Sequence, residues 1–213
     1  MSVQHFEILV EEPSMEAFLT ELLPRLVHRK ATYTIHPHQG KPDLLRKLAG
    51  RLRAYSRWLP PTYRIVVIVD LDDEQCAALK GRLEAHAAAA GLHTRKMVGA
   101  IGWQVVNRIA IEELEAWFFG DWQAVRLAYP NVAKDVPGKA QYRNCDAIAG
   151  GTWEAFERVL RRAGYFSGGY RKVEAAREIG RYFEVARCSS LSFRTLHTAL
   201  VEALECGVAD GAP

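Results

Sequence analysis

The stretch Ile65-Val66-Val67-Ile68-Val69-Asp70-Leu71-Asp72-Asp73-Glu74 is an unbroken apolar run that ends in four acidic residues. A run of valine and isoleucine without polar alternation predicts a strand buried on both faces. The acids then stand at the carboxyl end of the strand, where open α/β sheets bind ligands. Crowded carboxylates are tolerated if water solvates them, if one stays protonated, or if a cation neutralises them. We expect a cation, and Mg²⁺ is favoured because this hard ion prefers oxygen ligands.

The chain around this stretch alternates strand and helix patterns through the first 120 residues. Short apolar strands are predicted at 6–10 and 32–36, and one or two more at 94–111. Apolar residues at spacings of three and four predict helices between them. We therefore predict an α/β domain over residues 1–120, with a mainly parallel sheet flanked by helices.

The remaining residues, 121–213, show no strong strand pattern. Turn signals rich in glycine and proline separate segments with helical spacing. We predict a helical C-terminal section packed on the same core, with helices at 121–129, 152–163, 170–184 and 191–205.

Glu11 provides a second acidic position at the end of a predicted strand. If the two strands are parallel neighbours, Glu11, Asp70 and Asp72 converge at one edge of the sheet. Three carboxylates on two such junctions can hold one or two Mg²⁺ or Mn²⁺ ions, with water completing the coordination. The alternative is that these acids lie in ordinary solvated turns.

Three further residues are candidates for the same site. Glu113 and Glu115 follow an apolar strand pattern and could assist as ligands or positioning carboxylates, although acids also favour the first turn of any helix. Lys41 follows Gly40 and opens a helix, where a lysine can contact phosphate. The glycine-rich phosphate-binding loop of nucleotide hydrolases is absent.

Basic residues are interleaved with aromatic ones in the helical section, and such a surface can follow a phosphate backbone. Nearby glutamates dilute the charge, so a merely solvated helix face is the alternative. The candidate nucleic-acid contacts are Arg161, Arg162, Arg171 and Lys172.

The composition of the 213 residues excludes several classes of protein. The net charge of +3 is too balanced to indicate a nucleic-acid partner by itself. Four scattered cysteines without a C-x-x-C pair argue against zinc and favour reduced thiols. Since no secretory signal pattern and no long apolar run occur, we expect a cytoplasmic protein without a membrane span.

The strand-one glutamate and the Asp70-Leu71-Asp72 sequence resemble the Toprim domain of topoisomerases, primases and nucleases of the overcoming-lysogenization-defect type. Over nearly its full length, the chain is similar to the bacterial family catalogued as domain of unknown function 4276. The stretches that carry this likeness are 8–14, Gly40-Lys41, 69–72, 109–121 with Glu113-Leu114-Glu115-Ala116-Trp117, Lys172 and 190–193.

This resemblance implies a Mg²⁺-dependent site acting on phosphodiesters, with Glu11, Asp70 and Asp72 as metal ligands. It also implies an ATPase partner, because similar proteins are encoded beside ATPases in mobile defence loci. The chain departs from the Toprim pattern at Glu12, where a glycine is usual. The added charge and side chain put a topoisomerase-like geometry in doubt.

Three functions follow from these observations. We predict a metal-dependent nuclease acting on nucleic acid, with DNA favoured. The second hypothesis is a non-catalytic Toprim-like module that docks a partner protein or nucleic acid. The third is a phosphatase of the haloacid dehalogenase kind, whose D-x-D uses the first aspartate as nucleophile. Glu74 argues against it, because threonine or valine is expected there.

Overall fold

Four parallel strands form the sheet of the computed structural model, which describes residues 2–205. In that range the strands are β1 (His5–Val10), β2 (Thr32–Pro37), β3 (Tyr63–Asp70) and β4 (Val105–Ala110). Their order across the sheet is β2-β1-β3-β4. The carboxyl ends of all four strands therefore lie along the same edge.

Helices follow each strand and make up the C-terminal part of the described chain. Three of them lie in the α/β part: α1 (Pro13–Val27), α2 (Lys41–Tyr55) and α3 (Cys76–Ala89). A single turn precedes β4, namely α4 (Arg95–Val98). The remaining helices are α5 (Leu114–Gly120), α6 (Trp122–Ala128), α7 (Thr152–Arg162), α8 (Lys172–Tyr182) and α9 (Leu191–Glu205).

The apolar run of β3 is buried on both faces, as its sequence predicts. Val66 and Ile68 belong to a core shared with α1 and the C-terminal helices. Ile65, Val67 and Val69 belong to a second core, formed with α2 and α3 on the opposite face. The sheet is thus the middle of three layers, which confirms the predicted α/β fold with a parallel sheet, flanking helices and a helical C-terminal section.

The chain leaves the middle of the sheet in opposite directions. From β1 it passes through α1 on one face to β2, and from β3 it passes through α3 on the other face to β4. A crevice therefore opens between the carboxyl ends of β1 and β3. This is the switch point at which open α/β sheets bind ligands.

Asp146 fixes the start of α9. Its carboxylate accepts hydrogen bonds from the Ser190 hydroxyl and the Leu191 amide, both at 2.7 Å. The Ser192 hydroxyl then accepts a hydrogen bond from the indole of Trp117 on α5, at 2.9 Å. This network ties α9 to α5, the helix that carries Glu115.

The described cysteines are free thiols. Cys76 is exposed, whereas Cys145 and Cys188 are buried; Cys206 lies outside the described residues. Between residues 2 and 205, no helix has the length and apolar character required to cross a membrane.

Candidate functional site

Glu11 and Asp70 meet at the switch point. Because β1 and β3 are adjacent, the residue after β1 lies beside the last residue of β3. The Asp70 amide donates a hydrogen bond to Oε2 of Glu11 at 3.1 Å. Two residues that are far apart in sequence are thereby brought together.

The carboxyl group of Asp70 is buried without full hydrogen bonding. The residue is 7% exposed, and its Oδ1 has no hydrogen-bond partner among the described residues. Burial raises its pKa well above the ordinary value, and the charges of Glu11 and Glu115 raise it further. Burial also raises the pKa of Glu11 to about 7, against the lowering effect of its hydrogen bond from Asp70. Both carboxylates are thus destabilised in the absence of a cation.

Lys41 reaches this site from the amino end of α2. Gly40 precedes it with φ at +87°, a backbone conformation that is strained for residues other than glycine. The ammonium lies 2.7 Å from Oδ2 of Asp72 and donates a hydrogen bond to the Leu71 carbonyl at 3.1 Å. Glu74 is a further neighbour, at 3.4 Å. Lys41 thus neutralises part of the acidic loop after β3.

The loops after β3 and β4 are interlocked. The amides of Leu71 and Asp72 both donate to the Glu112 carbonyl, at 3.0 and 3.1 Å. Asp72 and Glu112 adopt left-handed backbone conformations, with φ at +49° and +61°. These contacts hold the Asp72 side chain toward Lys41, on the open side of the site.

Glu113, the residue before α5, and Glu115, in the first turn of α5, contact the helical section. Oε2 of Glu113 accepts the Trp153 amide at 2.8 Å, and Oε1 of Glu115 accepts the Tyr170 hydroxyl at 3.0 Å. Burial raises the pKa of both carboxyl groups, that of Glu115 to about 7. Glu115 interacts electrostatically with Asp70 and so belongs to the same cluster.

Lys172 is the second cation of the cluster. It opens α8, and its ammonium lies over the Trp153 ring, 5.1 Å from the centroid. Burial by itself would lower its pKa, but Glu115, Glu12, Glu113 and Asp70 together raise it. Lys172 therefore lies with the acidic residues, not on an open basic surface.

The three candidate arginines lie apart from this cluster, on exposed helical surface. Arg161 lies 3.9 Å from Glu157, and Arg171 lies 3.1 Å from Glu174. Arg162 is also exposed. Glutamates one helical turn away thus offset the charge of two of the three residues.

A wide cleft opens beside the acidic loops. Its volume is about 850 Å³, and it separates the loops after β3 and β4 from the start of α7. Gly151, the residue before α7, has φ at +86°, and the Glu154 carboxylate occupies the space that a Cβ at Gly151 would fill. The acidic residues that line the cleft are Asp72, Asp73, Glu112, Glu113 and Glu154.

The residues at the switch point fit a divalent cation in their chemistry. Asp70 presents a buried oxygen without a partner, and Glu11 supplies a second carboxylate beside it. Within residues 2–205, no group of three or more histidine, cysteine, aspartate or glutamate side chains is arranged so that it could hold a metal ion as it stands. Asp72 is turned toward Lys41 instead of toward the other two.

Trp153 was not singled out in the sequence, and Tyr170 was considered there only as one of the aromatic residues interleaved with basic ones. Each supplies a hydrogen-bond donor to a glutamate of α5, from a segment about 40 to 55 residues downstream. The only local signal was the position of Tyr170, two residues before Lys172 at the start of a helix.

Comparison with known proteins gives one family and one solved structure. A family model described as "Domain of unknown function (DUF4276)" matches residues 10–201. No curated protein matches the chain. The C-terminal region of the Burkholderia pseudomallei OLD protein is similar at 16% identity and a TM-score of 0.49, covering 93% of this chain and 98% of that chain. This overlap is too loose to transfer residue roles. The family match extends over most of the chain and confirms the resemblance read from the sequence, so the protein belongs to the DUF4276 family.

Proposed function

We propose that the protein is a divalent-cation-dependent nuclease that hydrolyses phosphodiester bonds. The observation that carries this proposal is the pair of buried carboxyl groups, Glu11 and Asp70, at the switch point of the sheet. The pKa values of both groups are raised, and one oxygen of Asp70 has no hydrogen-bond partner among the described residues. This arrangement is expected where a bound cation supplies the missing positive charge.

Glu11, Asp70 and Asp72 would hold Mg²⁺ or Mn²⁺. When bound, such an ion lowers the pKa of a water ligand and stabilises negative charge on the transferring phosphate. For Asp72 to take part, its carboxylate must exchange the Lys41 ammonium for the ion. Lys41 would then be available to neutralise a phosphate oxygen of the substrate.

Glu115 and Lys172 form the second half of the site. With a pKa of about 7, the Glu115 carboxyl can accept or return a proton near neutral pH, and Tyr170 holds its orientation. Glu113, bonded to the Trp153 amide, positions the start of α7 along the cleft. Lys172 carries positive charge among the carboxylates and can contact a second phosphate oxygen.

The test is cleavage of labelled single- and double-stranded DNA and RNA with Mg²⁺ or Mn²⁺. We expect wild type to cut at least one of these substrates, and Asp70→Ala to be inactive. Asp135→Asn is the control, since Asp135 is an exposed acid that does not line the cleft beside the acidic loops. If wild type and Asp70→Ala are equally inert, with and without a partner ATPase, the nuclease proposal fails.

A second candidate is a non-catalytic module whose acidic cluster is neutralised internally. The observation that favours it is the Lys41 ammonium, which already contacts Asp72 and Glu74. Calorimetric titration with Mn²⁺ separates the two candidates. The nuclease requires saturable binding that is lost in Asp70→Ala, whereas the module predicts the same absence of binding in both proteins.

Other features implied by the sequence stay predictions. We propose an ATPase partner, a setting in a defence locus, DNA as the favoured nucleic acid and a cytoplasmic location. Co-purification with an ATPase encoded beside the gene would address the partner.

A further inference from the structure

Positive charge is concentrated on one segment, residues 41–58, which comprises α2 and the turn after it. This segment holds six basic residues and one acidic residue, a net charge of +5. The whole chain, with 28 basic and 25 acidic residues, has a net charge of only +3. The rest of the protein, with 22 basic and 24 acidic residues, is therefore slightly negative.

Three arginines of this segment form one line along α2. Arg46, Arg53 and Arg57 are spaced by seven and four residues, which places them on the same side of the helix and its end. The opposite side is the buried stripe of Leu44, Leu48 and Leu52. At 1.5 Å per residue the line is about 16 Å long. We call these three arginines the α2 basic face.

Among the described residues, two of the three arginines of the α2 basic face have no acidic partner. Asp43 contacts both Arg46 and Lys47, so one carboxylate is shared by two cations. Nε of Arg53 donates a hydrogen bond to the carbonyl of Ala49, one turn back in its own helix. For Arg53 and Arg57, the described part of the chain offers no carboxylate within 4.0 Å. This differs from Arg161 and Arg171, which have glutamates beside them.

The residues at the two ends of the segment also favour a nucleic acid as the ligand. At its amino end, Lys41 lies among the carboxylates of the candidate site. At the other end, Trp58 is 53% exposed, although it is the residue type with the largest apolar surface. Its ring lies 5.4 Å from Tyr55 and 6.4 Å from Tyr63, which hold it in place while one side remains open. An exposed, supported indole is a platform on which an unpaired base can stack.

We propose that the α2 basic face and Trp58 bind the backbone and an unpaired base of a single-stranded nucleic acid. The strand would run along α2 from the carboxylate site to Trp58. This assignment rests on the proposed function, since it identifies the strand as the substrate of that site. It places the main contact surface on α2, on the opposite face of the sheet from the C-terminal helices.

The experiment is fluorescence anisotropy of the full chain with a labelled single-stranded oligonucleotide, in EDTA so that cleavage is suppressed. Arg53→Glu/Arg57→Glu is compared with Arg161→Glu/Arg162→Glu, which changes the net charge by the same amount on the rival surface. We expect the α2 variant to weaken binding by about tenfold or more, and to reduce the slope of log K against log salt concentration by about 1.4. Trp58→Ala should weaken single-strand binding more than duplex binding.

Equal losses in the two double variants, or a larger loss in the Arg161/Arg162 variant, would overturn the assignment. So would unchanged binding in Arg53→Gln/Arg57→Gln, which removes the charge with less risk to folding. Circular dichroism of each variant verifies the fold. Binding is measured without metal and therefore does not depend on cleavage. A protein that binds through α2 but cleaves no substrate would refute the nuclease proposal and leave this inference standing. A protein that cleaves nucleic acid but binds equally well without the α2 arginines refutes only this inference.

Discussion

The Asp70 side chain combines three features that are seldom found together: burial, an unpartnered oxygen, and neighbours of like charge. The nearest charges are Glu11 and Glu115, and both add to the effect of burial on its pKa. A buried carboxylate without a counter-charge lowers the stability of the folded state. Groups whose burial costs stability in this way are common where residues serve function, and the proposed cation would offset that cost.

Replacing the carboxylate by its neutral analogue should stabilise the metal-free protein. We expect Asp70→Asn to raise the free energy of unfolding at pH 8 in EDTA, because the substitution removes a carboxylate whose charged form burial and the charges of Glu11 and Glu115 disfavour. Urea denaturation followed by circular dichroism measures this change. The same variant should lose any stabilisation of wild type by Mn²⁺. A less stable Asp70→Asn protein under these conditions would contradict the argument.

The raised pKa of Glu11 also predicts a dependence of stability on pH. The ordinary pKa is 4.5 and the folded value is about 7, so between these values the folded state binds more protons than the unfolded chain. Stability contributed by the protonated group is present below pH 4.5 and is lost as the pH rises through 7. We expect a loss on the order of 1 to 3 kcal/mol between pH 5 and pH 8 in EDTA.

Thermal melts across this pH range provide the measurement. Glu11→Gln should flatten the decline, because the titrating group is removed, and Mg²⁺ or Mn²⁺ should reduce it in wild type. Glu115, whose pKa is also raised to about 7 by burial, adds to the decline in the same direction. Stability that rises between pH 5 and 8 in both proteins would refute the assignment of these pKa values.

At the scale of elements, the turns after the strands decide which side chains enter the site. The turn after β2 needs Gly40 at φ +87° so that Lys41 can start α2 facing the loop after β3. That turn is bound to the one after β1, because the Gly40 amide donates to the Glu11 carbonyl at 3.0 Å. The loops after β3 and β4 are joined through Glu112 in the same way. The site is therefore built from loops that fix one another.

Two glycines of the same helical segment should respond oppositely to alanine. Gly40→Ala forces a side chain into the left-handed region and should lower the free energy of unfolding by about 1 to 2 kcal/mol. It should also impair cleavage, since Lys41 is displaced. Gly50→Ala is the control: a Cβ at Gly50 meets nothing within 4 Å, so alanine should stabilise α2 by about 0.5 to 1 kcal/mol. Similar effects of both substitutions would contradict the role of the turn.

At the scale of the whole molecule, the C-terminal helices cover one face of the sheet and complete the site. Phe18 of α1 contacts the rings of Trp117 and Phe183, at centroid distances of 5.9 and 5.0 Å. Phe193 of α9 joins the same aromatic group, 5.3 Å from Trp117. Tyr170 and Lys172 reach the carboxylates from this layer. Packing and the candidate site thus depend on the same helices.

We therefore expect a fragment comprising residues 1–120 not to fold alone. Without the C-terminal helices, Phe6, Ile8 and the aromatic side chains of α5 would lose most of their cover. Exposing one large apolar side chain costs about 1.5 to 3 kcal/mol. Exposing several of them would therefore remove much of the roughly 5 to 15 kcal/mol that stabilises a typical domain. Near-UV circular dichroism and amide exchange measure the outcome. A fragment with a cooperative melt and protected β3 amides would show that the α/β part is independent.

Several features of this protein were determined by local sequence alone. The run from Ile65 to Val69 specified a fully buried parallel strand, because no polar residue interrupts it. Glu11 and Asp70 could be chosen as candidates, since residues at the ends of parallel strands share one edge of the sheet. Lys41 could be chosen because it follows Gly40 and opens a helix. The helical nature of the C-terminal section followed from its apolar spacing in the same way.

Only the tertiary structure decided which of these groups meet and how they are charged. The strand order β2-β1-β3-β4 placed Glu11 against Asp70, and the packing of α8 brought Tyr170 and Lys172 to Glu115. It also turned Asp72 toward Lys41 and left Arg53 and Arg57 without a carboxylate within 4.0 Å in the part of the chain that the structure describes. Sequence patterns report on local periodicity, whereas burial, pairing and pKa depend on contacts between residues that are distant along the chain. Those contacts exist only once the sheet and its two helical layers have assembled.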